Sequence, residues 1–139
     1  MIMLFDHLPA LVIVIPLICA PLCVILSRKD WAFAVALLAT WASFACSIML
    51  TIEVLDVGTI SYAMGGWQPP YGIEIRLDAL NVYILLIVSG IGSVVVPYAR
   101  NSLLLEYIEE RGHMFFCAYL LCLCGLMGCL LYTSDAADE

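Results

Sequence analysis

Four long hydrophobic runs, separated by short polar segments, constrain this 139-residue chain more than any other feature. They cover about residues 8–26, 31–54 and 79–99, and a fourth begins at position 114 and continues to about 128. Each of the first three has the roughly 20 apolar residues that a helix needs to cross a bilayer. Helices are expected because an isolated strand would leave its backbone hydrogen-bonding groups unsatisfied in lipid. The sequence therefore predicts an all-α, polytopic membrane protein with three complete transmembrane helices and a truncated fourth.

The composition supports this class. Hydrophobic residues make up 65% of the chain and charged residues only 12%, with a mean hydropathy of +1.08. A soluble domain typically carries about 25% charged residues, so this chain lacks the polar surface that water requires. A signal peptide explains the first run poorly, because its flank contains Asp6 and His7 but no Lys or Arg.

The basic residues predict an orientation in the membrane. Arg28 and Lys29 lie between the first and second runs, and Arg100 and Arg111 lie between the third and fourth. Only Arg76 lies in the connection between the second and third runs. Lys and Arg accumulate in cytoplasmic loops. We therefore expect the first and third connections to face the cytoplasm, and the N-terminus and the middle connection to face outside.

The middle connection has the pattern of a short hairpin. Gly-Gly and Pro-Pro pairs at positions 65–66 and 69–70 are typical of turns. After them, Ile73, Ile75 and Leu77 alternate with Glu74, Arg76 and Asp78. This period of two is typical of a strand with one polar face. Two interpretations are open: Glu74 or Asp78 belongs to an ion entrance, or the charges of a solvated hairpin pair with one another, which stabilises little.

Small side chains recur at spacings of three and four in the later runs. They are Ala32, Ala36, Ala39, Thr40, Ser43 and Ser47 in the second run, Ser89, Gly90, Gly92 and Ser93 in the third, and Cys117, Cys124 and Gly128 in the fourth. Helices associate in lipid through close backbone approach, which small residues permit. These stripes therefore predict helix–helix contacts.

No pattern of catalytic, metal-binding or nucleic-acid-binding residues is present. The chain has seven cysteines, but Cys122 and Cys124 lack the spacing of a zinc site. Buried cysteine usually behaves as a small hydrophobic residue, and packing is the expected role. The sequence contains no phosphate-binding Gly-rich loop, nucleophile elbow or basic patch. We predict no catalytic residue, no cofactor, no metal and no nucleic-acid partner.

The middle connection also resembles a known family. From position 65 it reads Gly-Gly-Trp-Gln-Pro-Pro-Tyr-Gly-Ile-Glu, and from position 76 it reads Arg-Leu-Asp-Ala-Leu-Asn. This segment, with motif residues Gly66, Trp67, Pro70, Gly72 and Asp78, resembles the loop before the third helix of the D-type subunit of Mrp-type multisubunit monovalent cation/proton antiporters. The order of spans and loops is similar too. The antiporter-like subunits of NADH–quinone oxidoreductase look similar in the hydrophobic spans.

The resemblance implies a function and its partners. It implies a multi-pass subunit of a hetero-oligomeric complex in a bacterial cytoplasmic membrane. The complex would exchange Na⁺ or another monovalent cation for protons, driven by the proton-motive force, so the chain would be part of a transporter rather than an enzyme. Its partners would be the other antiporter subunits, the lipid bilayer, monovalent cations and protons. In the family, a chain of buried Glu and Lys residues carries the ions, and it lies in helices beyond the four seen here.

The last residues carry a different signal. Positions 129–139 match the translation of a transposase-type sequencing adapter. We therefore expect residues 1–128 to be an N-terminal membrane fragment and residues 129–139 to be a foreign tail. A genuine acidic tail is the alternative interpretation.

Two other functions stay open. One is a proton-pumping membrane subunit of an NADH–quinone or hydrogenase-linked complex, in which partner subunits carry out electron transfer. The other is a small four-helix structural membrane protein. The lack of a charged residue at the centre of any hydrophobic run favours the second slightly, because transport subunits usually hold ionisable groups inside the membrane.

Overall fold

Four helices and a two-stranded hairpin make up the described part of the computed structural model, which covers residues 7–26, 28–63, 74–105 and 111–137. The helices are α1 (Leu8–Ile25), α2 (Lys29–Val57), α3 (Ala79–Leu105) and α4 (Gly112–Ala137). Strands β1 (Ile60–Ala63) and β2 (Glu74–Leu77) lie between α2 and α3. Each helix contains a stretch long and apolar enough to cross a membrane: Leu8–Ile25, Asp30–Val57, Ala79–Ser102 and Gly112–Tyr132. The prediction of an all-α, polytopic membrane protein is confirmed, and the fourth stretch, which was predicted to be truncated, has 21 residues in the structure.

The helices extend beyond the hydrophobic runs that predicted them. The second run was expected to end at about position 54, but α2 continues to Val57 and ends where Gly58 adopts a φ of 93°. This left-handed conformation favours glycine. Similarly, α3 continues six positions past the predicted end at 99, to Leu105. Hydropathy indicates only the residues within the hydrocarbon core of the bilayer. The helical backbone hydrogen bonds continue beyond it into the membrane–water interface until a residue such as Gly58 ends the helix.

The fourth helix also runs past its predicted bounds. Its backbone continues through position 128 to Ala137, and its apolar stretch ends at Tyr132. The foreign origin of residues 129–139 stays a prediction.

The helices form a bundle in which α2 and α4 both contact every other helix. The helix pairs α1–α2, α2–α3, α1–α4 and α3–α4 pack side by side, so α1 and α3 lie at opposite corners. The hairpin lies where α1 begins, α2 ends, α3 begins and α4 ends, and we name this the hairpin end. The opposite end holds Arg28, Arg100 and Arg111, and we name it the basic end.

The core differs between the two ends. At the hairpin end it consists of large aliphatic side chains: Leu8, Val12, Leu50, Val54, Leu77, Val82, Leu85, Leu123, Met127 and Leu131. Towards the basic end it includes several small ones: Ala20, Cys23, Ala32, Ala36, Ala39, Val96, Phe116 and Leu120. Since alanine lets helix backbones approach closely, α2 packs through its backbone near the basic end and through long side chains near the hairpin end.

The predicted stripes of small residues are buried in the two middle helices. All six members in α2, from Ala32 to Ser47, are buried, as are Ser89 and Ser93 in α3. The stripe in α4 is different. Cys124 is buried, but a Cβ added at Gly128 would meet nothing within 4 Å, so no backbone approaches closely there.

Gly92 forms a notch in α3 that receives two side chains of α4. A Cβ at this position would lie 2.9 Å from Cδ1 of Leu123 and 3.5 Å from the hydroxyl oxygen of Tyr119. The first distance is shorter than carbon atoms tolerate without rearrangement. The absence of a side chain at Gly92 therefore sets how closely α3 and α4 pack.

We predict that Gly92→Ala destabilises the bundle by about 1–3 kcal/mol, because the added methyl group overpacks a filled contact. The measurement is denaturant-induced unfolding of the purified chain in micelles, followed by circular dichroism. The matched control is Gly125→Ala on α4, where an added Cβ meets nothing within 4 Å. It should be neutral or slightly stabilising, because alanine has the higher helix propensity.

Shortening the opposing side chain should relieve the clash. The double variant Gly92→Ala with Leu123→Ala should therefore lose less stability than the sum of its two single variants. Additive losses would contradict a direct contact between these positions.

Candidate functional site: the hairpin and the buried hydroxyls

Strands β1 and β2 form an antiparallel pair at the hairpin end of the bundle. Ile60 pairs with Leu77, and Ser61 pairs with Arg76. Leu77 is fully buried and belongs to the core, whereas Arg76 is exposed, so the two sides of β2 differ as the alternating sequence predicts. Strand β2 also contacts α4. The hairpin-like loop predicted before the third helix is therefore confirmed, and it is seated on the bundle rather than held away from it.

A cleft of about 330 Å³ lies at the base of the hairpin. Its lining residues are Thr59, Ile60, Ser61, Arg76, Leu77 and Asp78. Thr59 and Asp78 directly precede β1 and α3, and the other four residues form the two strand pairs nearest the helices. The cleft therefore combines one cationic group, one anionic group and two hydroxyls over an apolar floor.

Asp78 caps helix α3. Its Oδ1 atom accepts a hydrogen bond of 2.9 Å from the backbone N–H of Ala79. Its carbonyl oxygen accepts one of 3.1 Å from the N–H of Val82. Aspartate is preferred at this position because its carboxylate satisfies a backbone donor that the helix leaves unpaired, and its charge is favourable at the helix N-terminus.

The predicted site residues are only partly within the described structure. Asp78 is exposed at the mouth of the cleft, and Glu74 lies in β2 opposite Ala63. The remaining motif residues, Gly66, Trp67, Pro70 and Gly72, lie outside the described residues. An ion entrance at Glu74 or Asp78 stays a prediction.

The buried polar side chains of the described helices are all hydroxyl groups. They belong to Thr40, Ser43, Ser47, Ser89 and Ser93. Each buried side-chain oxygen or nitrogen in the described residues has a hydrogen-bond partner. Since hydroxyls do not change charge at neutral pH, these five side chains do not form a titratable relay of the kind that carries ions through membranes.

One pair of these hydroxyls joins α2 to α3. The oxygens of Ser47 and Ser89 lie 2.6 Å apart, and both side chains are fully buried. Each hydroxyl also lies within reach of a carbonyl on its own helix, that of Phe44 at 2.8 Å and that of Leu86 at 3.0 Å. One serine therefore donates across the interface while the other donates to its own backbone, so no proton is left without an acceptor.

Further side chains of the described helices also donate to backbone carbonyls on a neighbouring helix. Tyr119 of α4 donates to Gly92 of α3 at 2.7 Å. Cys124 of α4 donates to the carbonyl of Ile13 at 3.4 Å, and Ser43 of α2 donates to that of Val12 at 3.4 Å. The contact of Tyr119 was not predicted from the sequence, although a tyrosine in the middle of an apolar helix signals that its hydroxyl has a partner.

At the basic end, Arg100 of α3 contacts two side chains of α2. The Arg100 guanidinium lies 4.5 Å from the centre of the Phe33 ring, and its Nη2 atom lies 3.6 Å from Oδ1 of Asp30. Both charged side chains are largely exposed, so the ion pair adds little. The ring of Phe33 in turn meets that of Phe116 edge-on at 5.8 Å. This contact series links α2, α3 and α4.

The described residues contain no group of three or more His, Cys, Asp and Glu side chains placed to hold a metal ion. Two buried cysteines instead donate to backbone carbonyls, Cys23 to Ala32 at 3.6 Å and Cys124 to Ile13. These contacts fit the packing role predicted from the sequence.

Known proteins resemble the chain over most of its length. NADH-quinone oxidoreductase subunit N of Desulforudis audaxviator is 33% identical over 88% of the chain. A probable K⁺/H⁺ antiporter D-type subunit of Rhizobium meliloti is 27% identical over 91% of the chain. Na⁺/H⁺ antiporter subunit A1 of Staphylococcus aureus is 31% identical over 63%. No protein-family model matches the chain.

The chain spans only part of these relatives. It covers 25% of the Desulforudis protein, 24% of the Rhizobium protein and 12% of the Staphylococcus protein. The similarity therefore concerns one quarter or less of each relative.

We predict that Ser47 and Ser89 are energetically coupled. A double-mutant cycle with Ser47→Ala and Ser89→Ala should give a coupling energy of about 0.6 kcal/mol, the usual value for hydrogen bonds between transmembrane helices. The measurement is unfolding in micelles. Thr51→Ala serves as the control for Ser47→Ala, because the Thr51 hydroxyl donates to the carbonyl of Ser47 within α2. Paired with Ser89→Ala, this control should give additive losses, and an equal coupling in both cycles would contradict the contact.

Proposed function

We propose that this chain, which belongs to the antiporter-like membrane subunits, forms the N-terminal helices of the D-type subunit of a monovalent cation/proton antiporter. The family includes subunits of cation/proton antiporters and of NADH–quinone oxidoreductase. The observation that carries the proposal is the hairpin between the second and third spans. Its sequence from Gly65 to Asn81 resembles the equivalent loop of the D-type antiporter subunits, and its strands sit on the end of the bundle where α3 begins.

We propose that these helices act as a scaffold rather than as the ion path. The buried polar groups of the described helices are hydroxyls with satisfied hydrogen bonds, which stabilise helix contacts but do not bind and release protons. Ion movement would then depend on buried Glu and Lys residues in other helices of the subunit. The partners would be those helices and the other subunits of the complex.

The cation that we propose is Na⁺. The names of the relatives include both K⁺/H⁺ and Na⁺/H⁺ antiporter subunits, so the assignment of the cation depends on transport measurements. The bacterial cytoplasmic membrane is the proposed location.

A second candidate function is a proton-pumping membrane subunit of an NADH–quinone oxidoreductase. It is favoured by the 33% identity to subunit N of Desulforudis audaxviator. Neighbouring genes discriminate between the two: small antiporter subunits support the antiporter, whereas peripheral iron–sulfur subunits support the oxidoreductase.

The proposed orientation gives a prediction that reporter fusions test. Alkaline phosphatase fused after Ala63 should be active, because the hairpin end would face outside, and the same reporter fused after Leu105 should be inactive. Green fluorescent protein at the same two positions is the complementary control and should fluoresce only in the second case. The reverse pattern at both positions would show that the N-terminus faces the cytoplasm.

The scaffold proposal predicts that the 139-residue chain does not restore sodium tolerance to a host that lacks its own Na⁺/H⁺ antiporters. The measurements are growth at raised NaCl and sodium-driven proton movement in inverted membrane vesicles. A complete antiporter operon is the positive control, and immunoblotting of membranes checks that the chain is present. Sodium-dependent proton movement with the chain alone would rule out an ion path confined to other helices.

A further inference from the structure

The charged and hydroxyl side chains around the cleft at the base of the hairpin are not needed for a scaffold role. It places the exposed guanidinium of Arg76 and the exposed carboxylate of Asp78 around one volume of about 330 Å³. The hydroxyls of Thr59 and Ser61 lie on the opposite strand and the segment that leads into it. The buried side chain of Leu77 forms part of the floor. Small-molecule sites typically begin at about this volume.

From the ends of the apolar stretches, we expect the cleft to lie at the depth of the lipid headgroups. The apolar stretch of α2 ends at Val57 and that of α3 begins at Ala79. The lining residues, 59–61 and 76–78, follow and precede these two stretches directly. A ligand in the cleft would therefore sit where phosphates and headgroup amines of one leaflet are found, next to the outward-facing Leu80 and Tyr83 of α3.

The charges of the cleft are complementary to a zwitterion. Arginine binds phosphate oxygens through paired N–H donors, and hydroxyls add further donors. A carboxylate accepts hydrogen bonds from a primary ammonium group. Arg76 and Asp78 are separated by one residue in an extended segment, so both lie on the polar side of β2 and its end.

Asp78 can serve two groups at once. Its Oδ1 atom receives the N–H of Ala79, which fixes the carboxylate at the start of α3. A carboxylate has two oxygen atoms and about four acceptor positions. The cap therefore orients Asp78 and leaves acceptor capacity for a ligand.

We propose that this cleft binds the phosphoethanolamine headgroup of phosphatidylethanolamine, with the phosphate at Arg76, Ser61 and Thr59 and the ammonium at Asp78. Phosphatidylglycerol offers the phosphate but no cation for Asp78. Phosphatidylcholine offers a cation whose methyl groups cannot donate a hydrogen bond. The cleft is thus selective for the lipid that carries both a phosphate and a primary amine, and this holds whichever ion the subunit transports.

The test is native mass spectrometry of the purified 139-residue chain in detergent, titrated separately with the three lipids. Phosphatidylethanolamine should bind roughly three- to tenfold more tightly than the other two, since it gains one charge-assisted hydrogen bond. Asp78→Asn should reduce its affinity to that of phosphatidylglycerol. The variant keeps the α3 cap, because asparagine is as good a cap as aspartate.

Two further variants separate the phosphate contact from a general charge effect. Arg76→Gln should lower the affinity for both phosphatidylethanolamine and phosphatidylglycerol, since the phosphate of each lipid loses its arginine partner. Asp30→Asn removes an exposed carboxylate at the basic end and should leave all three affinities unchanged. Circular dichroism establishes that each variant retains its helices. Equal binding of the three lipids by the unaltered chain, or a preference that survives Asp78→Asn, would overturn the proposal.

Phosphatidylethanolamine and free phosphoethanolamine present the same polar groups, so a competition experiment is needed to distinguish them. Free phosphoethanolamine at the concentration of the lipid should not displace it, because the acyl chains of the lipid add apolar contact with α3. Displacement at equal concentration would overturn the assignment to a lipid.

Discussion

The need to satisfy every polar group inside the bilayer determines most of this structure. Without water as a partner, the backbone of each span is helical, and the buried side-chain hydroxyls donate to carbonyls or to one another, as Ser47 and Ser89 do. The same requirement places the sheet outside the apolar stretches. Strands β1 and β2 pair with each other beyond the ends of α2 and α3, where water can complete the hydrogen bonds of their outer edges.

A consequence is that the bundle is held together by two kinds of contact along its length. Near the hairpin, long aliphatic side chains interdigitate. Towards the basic end, alanines bring α2 close to its neighbours, and the contacts of Arg100 and Phe33 add an aromatic edge. Lipid is as apolar as these side chains, so it is the quality of packing rather than the exclusion of water that favours association.

The sequence was sufficient for the features that repeat over many residues. Long apolar runs predicted three complete spans and part of a fourth, period two predicted the hairpin, and small residues at helical spacing predicted the buried face of α2. It was insufficient where one contact decides the outcome. The end of α2 depends on the conformation of Gly58, and the fit of α3 to α4 depends on Tyr119 and Leu123 meeting Gly92. Such pairings join positions that are distant in the chain, and no periodicity reports them. The cap formed by Asp78 could have been read from an aspartate directly before an apolar helix.

The notch at Gly92 also bears on how the bundle responds to the membrane around it. Leu123 fills the notch and Tyr119 is bonded to the carbonyl at the same level. Movement of α4 along the axis of α3 by one turn, about 5.4 Å, would separate both contacts at once. The two helices therefore keep a fixed axial register. In a thicker or thinner bilayer they adjust by tilting together as one body, and the lipid around them deforms, rather than by sliding past each other.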